Sequence, residues 1–217
     1  LGAGRVAEAA DVGVQAMWLS VIVGALLTPV IVLVATQAGR WLGGTGEVLD
    51  VAVTYLRIGA LGLPFVLLAL GAQGVQRGAA DYRTPLVILL SANVVNAVLE
   101  VLFVFGFGWG FTGSAASTVL VQVLAAVAFL ATVRRHLRAA THRRPSVAGM
   151  RPLLTAGRHL LLRVGAMLAV TSAMTAIAAR TDDATLAAHK IGASLFIFLA
   201  LGLDALAIPA QTLVAEE

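Results

Sequence analysis

Residues 85–107 read PLVILLSANVVNAVLEVLFVFGF, a run long and apolar enough to cross a bilayer yet carrying Asn93, Asn96 and Glu100 within it. A spanning helix needs about 20 predominantly apolar residues, and this stretch supplies 23. A carboxylate at that depth is costly, by about 2.5–3.5 kcal/mol for an aspartate at helix centre on insertion scales. Such residues typically face a water-filled cavity and mark an ion, proton or substrate path. Transport is therefore the leading functional expectation.

The whole chain conforms to this stretch. Of its 217 residues, 59% are hydrophobic and 12% charged, against about 25% charged in soluble domains. An ordinary soluble globule is thereby excluded. The expected fold class is all-α, a polytopic membrane bundle with six spans at about 12–39, 48–76, 85–107, 113–133, 153–179 and 187–214. Pro29, Pro64 and Pro209 fall inside spans, where neighbouring helices and hydroxyl side chains satisfy freed carbonyls. With no cysteine, disulfides and thiolate metal sites are excluded.

Lys and Arg outnumber Asp and Glu by 15 to 11. The excess lies in loops, so it reads as topology rather than nucleic-acid binding. Arg77 and Arg83 sit in one loop; Arg134, Arg135, Arg138, Arg143, Arg144 and Arg151 sit in another. The alternate loops carry few basic residues, which by the positive-inside rule places loops 77–83 and 134–151 in the cytoplasm of a multi-pass plasma-membrane protein. The second of these loops also divides the chain. Residues 1–138 read as one bundle, 139–151 as a basic linker able to touch anionic headgroups, and 152–217 as the start of a second bundle.

Residues three, four and seven apart share a helix face, so Asn93, Asn96 and Glu100 form one polar stripe and Ser114, Thr118 and Gln122 another. A short turn joins the two helices into an antiparallel hairpin. At ~1.5 Å per residue, Glu100 lies roughly 10 Å from the outer end and Thr118 roughly 8 Å, so the two are expected to meet at one level. A carboxylate with amide and hydroxyl neighbours binds a proton or a cation such as Na⁺, with Glu100 and Asn96 the expected Na⁺ ligands. The competing reading is helix–helix adhesion, but such polar contacts average only about 0.6 kcal/mol in one measured system.

Asp204, with Gln211 on the same face, is the second intramembrane acid, and its functional and structural readings stand even. Lys190 and His189 are read as interfacial, Arg158 and Arg163 as snorkelling, and Arg57 as the partner of an acid on a neighbouring helix. Met167, Thr171 and Met174 form a soft face best explained by packing. No metalloprotease, nucleophile-elbow or phosphate-loop pattern is present, so an enzyme is not expected.

These features together resemble the multidrug and toxic compound extrusion (MATE) family, in its DinF-like branch. The resembling segments are YLRIGALGLP (55–64), QGVQRG (73–78) with DYRTP (81–85), NVVNAVLE (93–100), GWG (108–110) with GSAA (113–116), AAHKI (187–191) and LDALAIPAQ (203–211). The resemblance implies helices three to eight of a twelve-helix, two-lobe transporter. Residues 1–138 would then end helix two and complete the N-lobe with helices three to six; residues 152–217 would open the C-lobe with helices seven and eight.

It also implies a monomeric antiporter without a cofactor, expelling organic cations and other amphipathic compounds in exchange for H⁺ or Na⁺. Of the family's N-lobe site, Asn96, Glu100 and Thr118 carry over, while the helix-one aspartate has no counterpart in this chain. Two departures are notable: Glu100 stands for an aspartate, and Lys190 for a glutamine common in the branch. The alternatives are a lipid-linked precursor flippase of the same superfamily, a membrane-embedded enzyme, or an inactive truncated product. The Leu1 start without Met and the Glu217 stop read as a piece of a longer protein.

Overall fold

The computed structural model describes residues 6–215, and within them the side chains of 7–182 and 184–203. Among the described residues the chain is helical, without strands: α1 Val6–Trp41, α2 Gly46–Ala60, α3 Leu63–Gly78, α4 Arg83–Val101, α5 Gly110–Val133, α6 Val147–Thr181 and α7 Asp183–Ala215. A π-turn, Leu102–Gly106, extends α4. Among the described residues five helices are individually long and apolar enough to span a membrane, and α2 and α3, bent by 49° at their break, pass that test together, for up to six spans. The chain is an all-α, multi-pass membrane protein.

The bend departs from the single span expected over 48–76. Pro64 has no N–H, so the carbonyl of Ala60 loses its helical partner. Thr28 of α1 replaces it, donating its hydroxyl to the Ala60 carbonyl at 3.0 Å. Leu61 and Gly62 close the break with tight i→i+3 bonds to Ile58 and Gly59. Gly24 makes this approach feasible, because a Cβ there would lie 2.4 Å from Pro64 Cα. Pro29 lies within α1 without ending it. Pro209 and the side chains of Asp204 and Gln211 lie outside the described side chains.

The chain divides into two compact units. The first comprises α1 to Arg40, α2 through α5, and the chain from Gly44 to Leu161; the second comprises Trp41–Gly43 and everything from Leu162 onward. In the first, Met17 of α1, Leu68, Ala69 and Ala72 of α3, and Ala126, Phe129 and Val133 of α5 form the buried core. Small residues let these helices approach closely, the usual basis of packing where lipid offers no hydrophobic contrast.

Residues 134–146 join α5 to α6. Helix α6 begins at Val147, because the Ser146 hydroxyl accepts the Gly149 backbone N–H in the manner of an N-cap. Residues 141–146 of this segment are bound to α1. Asp11 accepts hydrogen bonds from the Thr141 N–H and hydroxyl, both at 2.7 Å, and from the His142 N–H at 2.8 Å. Gln15 donates to the Arg144 carbonyl and accepts from the Ser146 N–H, each at 2.9 Å. Trp18 donates its indole N–H to the Arg143 carbonyl.

In the second unit, Asp182 accepts the N–H and hydroxyl of Thr185. These two bonds, the hydroxyl first, hold its carboxyl below the ordinary value.

Candidate functional site

Helices α4 and α5 pack as the hairpin their short turn dictates. The turn is built by Gly108 at φ +70° and Gly110 at φ +52°, a left-handed backbone that glycine adopts without steric cost. Between them Trp109 donates its backbone N–H to the Phe103 carbonyl. Its ring packs with Phe103 and Phe107 at centroid separations of 5.2 and 5.3 Å. Aromatic clusters of this kind sit at membrane–water interfaces, which places Glu100, two turns along α4, inside the apolar zone.

The Glu100 carboxylate accepts one hydrogen bond, from the Ser114 hydroxyl at 2.9 Å. Among the described residues no lysine, arginine or histidine lies within ion-pairing distance of it. Asn96, one turn earlier, is half-buried. Asn93 donates to the Leu89 carbonyl of its own helix. Thr118 is half-buried and likewise turns inward, donating to the Ser114 carbonyl rather than to Glu100. The structure therefore brings Glu100 to α5 through Ser114, one turn nearer the helix start than the depth argument placed the contact.

The α5 stripe continues to Gln122, whose Oε1 is buried without a hydrogen-bond partner. It sits against the α2–α3 break, so close that a Cβ on Gly62 would fall 1.6 Å from it. Ser114, Thr118 and Gln122 thus form a polar line from the Glu100 carboxylate to the bend in the neighbouring span. Among the described residues no group of three or more His, Cys, Asp or Glu could hold a metal ion. Glu100 with Asn96 is a monovalent-ion candidate, and Glu100 alone a proton candidate.

Other expected residues fall elsewhere. Arg57 reaches the Thr36 hydroxyl at 3.4 Å, where an acid was expected, because α1 presents no carboxylate at that level. Arg158 lies against His159. His189 meets the Thr175 hydroxyl at 3.3 Å. Lys190 is exposed on α7, as are Met167, Thr171 and Met174 on α6.

Sequence reasoning passed over the opposite end of the unit. Asp81 accepts the Thr84 N–H, pairs with Arg135 and stands 3.6 Å from His136. The Thr84 N–H and hydroxyl, followed by Arg135, hold its carboxyl down at about 2. Gln76 is wholly buried and donates to Thr132.

A family model described as MatE matches residues 1–102. The chain is 35% identical over 164 residues to Protein DETOXIFICATION 44, chloroplastic, of Arabidopsis thaliana, covering 76% of this chain and 31% of that protein. It is 29% identical over 199 residues to DNA damage-inducible protein F of Escherichia coli (strain K12), covering 89% and 43%. Multidrug export protein MepA of Staphylococcus saprophyticus is 30% identical over 114 residues, half of this chain and a quarter of that one.

Among solved structures, a MOP superfamily transporter from Pyrococcus furiosus superposes with TM-score 0.60 at 23% identity, over 79% of this chain and 36% of its own. A MATE protein crystallised with MaD3S gives 0.59 at 22%, over 80% and 40%. These structural likenesses show the fold. The chain spans about a third of the length of the first curated relatives it matches.

Proposed function

We propose that this chain, similar to the MatE family over residues 1–102, forms part of a secondary active efflux transporter, exchanging H⁺ or Na⁺ for small amphipathic or cationic compounds. That similarity supports a transport protein rather than an enzyme. The observation that carries the mechanism is Glu100: a carboxylate on an apolar spanning helix, held by a single hydroxyl and without a basic partner among the described residues. A carboxylate so sparsely satisfied has coordination sites left for a proton, for Na⁺ or for a cationic substrate, and these compete. Binding of one releases another.

The polar line on α5 couples that exchange to the backbone. Protonation of Glu100 weakens its charge-assisted bond to Ser114, and Gln122 at the far end of the line abuts the break between α2 and α3. Such breaks line the substrate and ion sites of many transporters, around which one half of the bundle rocks against the other to open a cavity to each side in turn. In this reading residues up to 138 belong to the N-lobe and those from 152 to the C-lobe. The arginine loops face the cytoplasm, and Asp204 is a second candidate in the cavity.

The test is transport by the full-length protein in sealed vesicles under an imposed pH or Na⁺ gradient. Counter-movement of an organic cation such as ethidium, driven by one gradient and abolished by its collapse, is the expected result. Equal ethidium movement with and without either gradient would refute ion coupling.

A further inference from the structure

At the arginine-rich end of the first unit, α1 and α3 part around a cavity of about 850 Å³. This is within the range of about 300–1,000 Å³ typical of small-molecule sites. It lies apart from the polar line of Glu100, Ser114 and Gln122. One wall is the glycine face of α3, formed by Gly71, Gly74 and Gly78. A Cβ on Gly74 or on Gly78 would meet no atom within 4 Å, so both residues look onto open space. At Gly71 a Cβ would fall 2.8 Å from Ser20 Oγ, which is where the slot closes. Glycine is a poor helix former, and here its small size leaves a channel about two turns long rather than a tight helix contact.

The mouth of the slot is charged. Arg135, His136 and Arg138 border it on one side and Glu8 on the other. Asp81 neutralises Arg135 and stands beside His136, and Glu8 is engaged in an interaction of its own. Arg138 is exposed, and among the described residues no carboxylate lies within ion-pairing distance of its guanidinium. The chain immediately after it is fixed by the bonds from Thr141 and His142 to Asp11. An uncompensated guanidinium is thus held at the entrance of an apolar slot.

We propose that this cavity binds an anionic phospholipid, with one acyl chain lying along Gly74 and Gly78 and the phosphate on Arg138. Water is a poor occupant of an apolar slot, because it needs two to four polar partners. A free phosphate would satisfy Arg138 but leave the slot empty. An amphiphile satisfies both halves, and basic segments beside a membrane draw anionic headgroups toward them. The inference does not depend on the transport reading, since lipid retention is measured without a gradient or a transported compound.

The experiment is native mass spectrometry of the detergent-solubilised full-length protein with added phosphatidylglycerol or phosphatidylcholine of matched chains. One phosphatidylglycerol should be retained with about ten-fold preference over phosphatidylcholine. Gly74→Leu should lower retention of both lipids by about ten-fold, with Gly78→Leu as a second slot-filling variant. Both side chains enter open space and raise helix propensity, so helix content by circular dichroism should be unchanged. Arg138→Gln should abolish the preference while leaving phosphatidylcholine retention intact.

Undiminished phosphatidylglycerol retention in both leucine variants would overturn the proposal. So would displacement of the lipid by glycerol phosphate at equal concentration, which would assign a free-phosphate site instead.

Discussion

Within the first unit, three carboxylates meet very different company. Asp11 and Asp81, at the arginine-rich end, are crowded with donors. Asp11 receives three hydrogen bonds of 2.7–2.8 Å from Thr141 and His142, and Asp81 receives Thr84 and Arg135. Glu100, in the apolar zone of α4, has the Ser114 hydroxyl alone. Where a carboxylate is cheapest to solvate the protein has saturated it, and where it is most expensive the protein has left it nearly bare. Saturated acids fasten parts of the chain together. An intramembrane acid with coordination left over is a site at which something else binds.

The largest expected effect separates these two kinds directly. Glu100→Gln keeps the shape and the Ser114 contact but removes the negative charge. Gradient-driven efflux by the full-length protein should fall at least about 100-fold, to background, with expression and thermal stability unchanged. Unaltered efflux would mean that the carboxylate only glues α4 to α5, and the contrast with Asp11 would collapse.

Gln122 sharpens the comparison, because its buried Oε1 has no partner. An unsatisfied buried acceptor costs about 1–3 kcal/mol. Gln122→Leu, similar in volume, should therefore raise thermal stability while lowering efflux by about ten-fold, the trade-off expected of a strained functional group. A variant that is both less stable and fully active would make Gln122 an ordinary packing residue. Gln76 at the opposite end also has an unpartnered Oε1, but its amide N–H is spent on Thr132 across the α3–α5 core, which ties it to packing.

The sequence pattern made the spans legible because apolar length and loop charge are additive along the chain, and neither depends on tertiary contact. It also placed Asn96, Glu100, Thr118 and Gln122 on shared faces. Which hydroxyl reaches Glu100 was not legible. That choice turns on the π-turn at 102–106 and the glycine turn at 108–110, which set the offset between α4 and α5. The docking of residues 141–146 on α1 was equally hidden: Asp11 and Gln15 look like the flank of a span, and their partners lie about 130 positions away. Pro64 announced a kink, but only Gly24 and Thr28 on another helix show what accepts it.

A smaller effect is expected where the carboxylate is a fastener. Asp11→Ala should free residues 141–146 from α1 and speed proteolytic nicking there by about ten-fold, since exposed linkers are cut as often as they detach. Efflux per folded molecule should change far less than in Glu100→Gln. If nicking is unaltered, Gln15 and Trp18 hold the linker without Asp11. The saturation of Asp11 would then be incidental.

The smallest effect is a dependence on pH. Asp81, in the loop between α3 and α4, has its carboxyl held at about 2 by Thr84 and Arg135. A group whose folded value is depressed contributes stability that is fully present above its unfolded value, about 3.9, and is lost as pH falls through the folded value. Protonation removes the charge that Arg135 pairs with and weakens the bond from the Thr84 N–H at the start of α4. Protection of the Thr84 amide, relative to its intrinsic exchange rate at each pH, should therefore fall between about pH 4 and pH 2, while protection in the α3–α5 core around Phe129 stays constant. Asp81→Asn should show low Thr84 protection at every pH and no step in this window. A step of the same size in the variant would assign the acid sensitivity to another carboxyl, and would remove Asp81 from the set of saturated fasteners against which Glu100 stands out.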